Sequence, residues 1–222
     1  MIIPSTSNER NWNNFDDTYL NNILFKNIPD NIELFIGYDY DDILYSKPEN
    51  RPDKINNNNI NWISFYKFEK GNVCAIWNEL AKISLSKGYE YMFICGDDIL
   101  LPEDKEWINT FIYKLKENNN VGYTAGYSNN NNIPTQFLLH KTHVNIYGWI
   151  FPPQIKNWYC DDFLYGLYGD RFGNWLKEYN LFNCGGKPRY VPRNNDKNLC
   201  DILVKRHRKD LYKYINKNKY LN

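Results

Sequence analysis

The chain has 222 residues, enough for one sizeable α/β core, and carries 27 basic against 26 acidic side chains. That near-balance leaves no global field to recruit nucleic acid or an anionic membrane surface, so a nucleic-acid partner is not expected. Five scattered cysteines (Cys74, Cys95, Cys160, Cys184, Cys200) form no CxxC pair, which argues against a zinc knuckle or a disulfide framework and fits a reducing compartment.

Aromatic residues are abundant, with 19 Tyr, 12 Phe and 7 Trp; such rings fill cores and also stack on sugars and bases. No run approaches the roughly 18 apolar residues of a membrane span, and Ile2-Ile3-Pro4 follows the first residue with neither a charged region nor a long apolar stretch. The expectation is a soluble, cytoplasmic protein with no integral membrane segment. Asn, Ile, Lys and Tyr share AT-rich codons, so the asparagine tracts at 56–59 and 129–132 reflect an AT-rich genome, a large DNA virus included, and mark loops.

In chain order, Ile2-Ile3 reads as a first short strand ending in the turn-rich Pro4-Ser5-Thr6-Ser7-Asn8, and a helix is predicted near Phe15 to Phe25. Ile32 to Tyr38 is a compact apolar run of the kind found in buried parallel strands, followed at once by Asp39, Asp41 and Asp42. Ile60 to Phe65 reads as another strand. Apolar residues from Val73 to Leu85 recur at helical spacing until Gly88 stops them. Tyr89 to Cys95 is the clearest strand, closed by Gly96-Asp97-Asp98 and then by Ile99-Leu100-Leu101-Pro102. Trp107 to Leu115 is patterned as a helix and Val121 to Tyr127 as a strand. The later half is less regular: Gln136 to His140 suggests a strand, Asp162 to Leu167 a short helix, and Trp175 to Tyr179 another. The alternation predicts one α/β domain over 1–222 without repeats.

Two adjacent acids at the end of a buried strand sit where open α/β sheets bind ligands. A diphosphate must be held and made a better leaving group, and a hard divalent cation on carboxylate oxygens does both. Asp97-Asp98 suits that task, although the same pair also makes an ordinary strand-to-loop turn.

Tyr91-Met92-Phe93-Ile94 followed by Gly96-Asp97-Asp98-Ile99-Leu100-Leu101-Pro102 resembles the DxD segment of glycosyltransferases of the A fold. The resemblance covers roughly Ile2 to Gly166. It implies a single GT-A, Rossmann-like domain with a mostly parallel central sheet flanked by helices, in which 1–101 form the nucleotide-sugar-binding half and 102–222 the acceptor-binding half and tail. By the family pattern Asp98 ligates Mn2+ (or Mg2+) with Asp97 beside it, and His207 in Val204-Lys205-Arg206-His207-Arg208 closes the metal site. Gly96 stands where the family often has its first acid, the one that contacts ribose. Pro4, Ser5, Thr6 and Arg10 match the loop that cradles the base, ribose and phosphate. Asp39 matches the acid closing the second strand, and Asn78 the polar face of the helix before the DxD strand. Gly148 to Pro153 followed by Asp161-Asp162 resembles an acceptor loop and acidic pair, with Asp162 as catalytic base and Asp161 its companion. As a structural alternative, those acids cap a helix.

The implied activity is inverting, metal-dependent transfer of a hexose or N-acetylhexosamine from a nucleotide-sugar donor, UDP-linked by family habit, to a glycan or glycoprotein acceptor. The alternatives are a non-catalytic carbohydrate-binding protein, disfavoured by the parallel-sheet pattern, and a sugar nucleotidyltransferase, disfavoured because Pro4 to Asn8 contains no glycine.

Overall fold

The computed structural model describes residues 1–185, 191–193 and 195–218. The first strand, β1 (Ile2–Pro4), is followed by a single helical turn, α1 (Tyr19–Asn22), and then by β2 (Leu34–Asp39), β3 (Lys54–Ile55) and β4 (Asn58–Phe65). Helix α2 (Val73–Ser86) leads to β5 (Tyr91–Ile94), β6 (Ile99–Leu100), α3 (Trp107–Glu117), β7 (Tyr123–Tyr127) and β8 (Phe137–His140). Helices α4 (Lys141–Tyr147) and α5 (Cys160–Phe172), strands β9 (Gly173–Asn180) and β10 (Phe182–Asn183), and helix α6 (Asp196–Asn218) complete the order.

Eight strands form one sheet in the order β3-β4-β2-β1-β5-β8-β7-β9. Parallel pairing joins β1 to β2 and β5, β2 to β4, and β7 to β9, whereas β3 and β8 oppose their neighbours. Six of the eight strands therefore share one direction and deliver their carboxyl ends to a common edge. Side chains alternate across the sheet with the period of two that pleated strands impose. Ile2, Phe35, Met92 and Ile94 enter one core beneath α2, α5 and α6, and Ile3, Ile36, Phe93 and Cys95 enter the other with Leu20, Trp107 and Phe111. Helix α2 lies so close on β2 that a methyl on Gly37 would stand 2.6 Å from Ile76 Cγ2.

Two expected elements differ. The helix predicted over Phe15 to Phe25 is broken into a 3-10 turn at Phe15–Asp17, α1, and a second turn at Leu24–Asn27. Thr18 at ψ 155° interrupts the first junction and Ile23 the second; one turn at a time is marginal as helix and persists here because Leu20, Leu24 and Phe25 are buried. The segment Trp175 to Tyr179, expected as a helix, is strand β9. Its backbone pairs along β7, and Trp175 Nε1 donates to the Gly126 carbonyl at 3.0 Å. A run of five residues containing Trp and Tyr is better satisfied on an open sheet edge than in an isolated turn. No helix among the described residues is long and apolar enough to cross a membrane.

Candidate active site

A cavity of about 550 Å³ opens at the common carboxyl edge of the sheet. Its first wall is the segment after β1. Pro4, Ser5, Thr6 and Arg10 line it, and one buried carboxylate sets their shape. Asp42 accepts from Ser7 N (2.7 Å), Ser7 Oγ (2.6 Å), Thr6 Oγ1 (3.1 Å), Leu44 N (3.1 Å) and Tyr45 N (2.9 Å). The bonds to Leu44 and Tyr45 make an Asx-type turn, so Asp42 fixes its own loop and the β1 loop at once. Asp39, the last residue of β2, also lines the cavity. Burial and the nearby Asp41 charge raise its pKa above the ordinary carboxylate range.

The second wall is the turn after β5. Asp97 is buried and its Oδ2 accepts from Ser5 Oγ at 2.6 Å. The Tyr45 hydroxyl lies 3.0 Å from the same Ser5 oxygen; with the Ser5 proton engaged by the carboxylate, Tyr45 is the donor of that pair. Burial and the Asp97 charge both push the Tyr45 pKa upward, keeping the phenol protonated. Asp98 is held from the opposite side by the segment Phe182 to Gly185. Strand β10 pairs antiparallel with β6, Cys184 N donates to the Asp98 carbonyl at 2.8 Å, and Asn183 Nδ2 lies 3.3 Å from Asp98 Oδ1. A Cβ on Gly185 would stand 1.7 Å from Asp98 Oδ2, so this position leaves room for the carboxylate only as glycine. Arg10 spans the two walls: its guanidinium donates to the Gly185 carbonyl at 3.2 Å and sits 4.5 Å above the Tyr19 ring. Among the described residues no carboxylate pairs with it.

The third wall comes from α5. Tyr159, at φ 67°, turns the chain into the helix, and Cys160 and Asp161 line the cavity. Burial first, and the adjacent Asp162 charge second, push the Asp161 pKa up to about 6, against the pull of the backbone N–H groups of residues 161 and 162. The fourth wall is uncharged: Ser128, Asn129 and Asn130 after β7, and Thr135 and Gln136 before β8.

Pro4, Ser5, Thr6, Arg10, Asp39, Asp97, Asp98 and Asp161, expected from the sequence as site residues, thus meet in one cavity. Three others do not line it. Asp162, expected as the base, is exposed and turned outward. The Asn78 carboxamide clamps the loop before α5, accepting from Ile150 N (2.8 Å) and Phe151 N (2.9 Å) and donating to the Phe151 carbonyl (2.8 Å). His207 is wedged on α6 among Trp149, Tyr147 and Phe163, with Nδ1 3.4 Å from Asp210 Oδ2; the fold does not bring it into the cavity with Asp98. Sequence reading gave no role to Asp42, Tyr45, Asn183 or Gly185. An aspartate two and three residues ahead of Leu44 and Tyr45 is the turn signal that marks Asp42, whereas Asn183 and Gly185 meet Asp98 through a pairing without any local signal.

No protein-family model matches the chain, and no curated protein matches it in sequence. Among solved structures, residues 1–349 of S. aureus TarS are similar to it at a TM-score of 0.58 and 14% identity, over 92% of this chain and 63% of that one. The chain therefore spans less than two thirds of that structure. At this identity the likeness is one of architecture alone: a mostly parallel sheet flanked by helices.

Proposed function

We propose that the chain is a metal-dependent glycosyltransferase that moves a sugar from a nucleotide-diphosphate donor, UDP-linked, to a hydroxyl of a glycan or glycoprotein, with inversion. The observation that carries this reading is the single cavity shared by the β1 loop, the Asp97-Asp98 turn and Asp161. The loop after β1 and Asp39 at the end of β2 form a slot for the base and ribose. The start of α5 contributes Asp161 to the same cavity, where an acceptor-side base is needed.

Charge favours a cation. Among its described lining residues the cavity has four aspartates (Asp39, Asp97, Asp98, Asp161) and one arginine, Arg10. A diphosphate entering so acidic a site needs added positive charge. No trio of His, Cys, Asp or Glu is gathered to hold a metal among the described residues. Mg2+ and similar cations bind through one or two carboxylates, with substrate phosphates and water completing the shell. By the family pattern Asp98 is the ligand in this reading, with Asp97, bonded to Ser5, beside it. When bound, the cation would neutralise the diphosphate and stabilise it as leaving group.

The remaining roles belong to the protein. Arg10 offers a guanidinium to the phosphate oxygens. Asp161, with its pKa raised to about 6, is ionised at neutral pH yet more basic than an ordinary carboxylate, which suits removal of the acceptor hydroxyl proton during attack. Asp161 takes this role instead of Asp162 because it is the member of the pair that lines the cavity.

Calorimetric titration of UDP with and without Mn2+ tests the reading. Wild type should bind UDP more tightly with the cation, and Asp98→Ala should lose that increment. Equal UDP affinity in both proteins with Mn2+ present would refute the metal assignment.

A further inference from the structure

Helix α6 concentrates charge that the composition of the whole chain conceals. It holds seven Lys or Arg against three Asp, which leaves the rest of the chain with 20 basic and 23 acidic side chains. At about 100° per residue, Ile202, Lys205, Arg206, Lys209, Lys213 and Lys217 fall within one arc of about 120°. All six are exposed, and Cys200, Val204 and Leu211 are buried on the opposite face. No carboxylate of α6 falls within that arc. Asp196 and Asp201 lie in the first two turns, and Asp210, on the flank, stands 3.4 Å from His207 Nδ1 and 3.6 Å from Lys213 Nζ. Lys205, Lys209, Lys213 and Lys217 recur at every fourth residue, the spacing at which like charges on a helix repel. Among the described residues only Lys213 of these four has an acidic partner. Helices α2 and α3 instead place a glutamate one turn from a lysine, as in Glu79 with Lys82 and Lys114 with Glu117. A helix face shaped for solubility alone alternates its signs; this one carries a row of like charge about 18 Å long.

We propose that this face of α6 docks the protein on an anionic lipid surface. A row of cations on a helix is drawn to the negative potential of acidic headgroups, and each one near them strengthens partitioning by roughly fivefold. Ile202, 56% exposed, lies in the middle of the arc, and Tyr212, 45% exposed, at its edge. An aliphatic side chain and an amphipathic ring suit the boundary between headgroups and acyl chains. Duplex nucleic acid fits less well. The planar fork of Arg is the group suited to phosphate recognition, and the row has one, Arg206, among four lysines. The opposite face is locked into the core, so the helix lies on the surface and does not enter it. The start of α6 is tied to the cavity wall, with Cys200 Sγ 3.6 Å from the Tyr159 carbonyl. Docking therefore sets the cavity at a fixed distance from the headgroups, whatever reaction takes place in it.

Flotation with vesicles tests the proposal. The full chain is mixed with vesicles of phosphatidylcholine alone, or of phosphatidylcholine with about one third phosphatidylserine. Wild type should float with the anionic vesicles, stay behind with the neutral ones, and be released as salt is raised. The fourfold variant Lys205→Gln, Lys209→Gln, Lys213→Gln and Lys217→Gln should lose about a hundredfold or more in partitioning. It should melt no lower than wild type, because like-charge contacts are removed, so the loss is not one of folding. A control of equal net charge, Lys26→Gln, Lys47→Gln, Lys54→Gln and Lys116→Gln, neutralises exposed lysines outside α6 and should stay within about threefold of wild type. Unchanged flotation of the α6 variant, or an equal loss in the control, overturns the role of α6. Absence of any preference of wild type for the anionic vesicles overturns docking itself. Retention on duplex DNA at a salt concentration that strips the protein from vesicles overturns the lipid partner.

Discussion

Replacing Asp161 by Asn should stabilise the protein while abolishing transfer, and the stabilisation should depend on pH in a specific direction. In the folded chain the carboxyl has a pKa of about 6 against an ordinary value of 3.8, because burial and the Asp162 charge both disfavour ionisation. Between those two values the folded state holds a proton that the unfolded chain has released. Stability therefore falls as pH rises through this window, and the deficit is complete above about pH 6. A gap of roughly two units corresponds to up to about 3 kcal/mol at about 1.4 kcal/mol per unit. The near-isosteric amide carries no charge, so Asp161→Asn should match wild type below pH 4 and exceed it by up to that amount at pH 7. Urea unfolding of both proteins across pH 4 to 8 measures the difference, and a radiolabelled transfer assay measures the activity. A stability difference that does not grow with pH, or a variant less stable than wild type at pH 7, would refute the assignment of Asp161 as a carboxylate strained by its surroundings.

Two further outcomes follow from groups outside the cavity. Asn78→Ala should cost about 2–4 kcal/mol, since it removes a donor and an acceptor that hold the backbone of Ile150 and Phe151; UDP affinity should stay within about twofold in calorimetry, because the side chain stands behind the wall and not in it. His143 is fully buried, with Nε2 2.9 Å from the Ile150 carbonyl and Nδ1 2.7 Å from the Tyr168 hydroxyl, and burial lowers its pKa to about 4. Its contribution is complete above the ordinary value of 6.5 and is lost as pH falls toward 4, a change of about 3 kcal/mol that His143→Gln should remove from the unfolding profile. The slopes from His143 and Asp161 have opposite signs, so each is measured as a variant-minus-wild-type difference.

The first half of the fold was legible because its strands are short apolar runs bounded by turn residues: Leu34–Asp39, Tyr91–Ile94 and the helix Val73–Ser86 fall within a residue or two of expectation. The acid turn at Asp97-Asp98 was visible for the same reason, since the apolar strand ahead of it is unambiguous. The second half depends on contacts distant in sequence. Trp175 to Tyr179 could be called strand only by knowing that β7 leaves an open edge beside it. The choice between Asp161 and Asp162 was hidden for a different reason: neighbours on a helix point about 100° apart, and the phase is set by Tyr159 in a left-handed conformation at φ 67°. Asn78 shows the converse hazard. A polar residue on an amphipathic helix resembles a ligand contact, and here it is a half-buried clamp on a neighbouring loop.

The Asp42 carboxylate has a consequence for the thermodynamics of recognition. Because it gathers Thr6, Ser7, Leu44 and Tyr45 onto one anion within the folded chain, the slot after β1 has its shape before any ligand arrives. A nucleotide entering there loses its own freedom without also freezing a loop, so the rigid wall discriminates by fit. The segment at 182–185 is tied to Asp98 by a short strand pair and hydrogen bonds, so the acid turn, like the β1 loop, is held by contacts within the chain. The cavity is a preformed template.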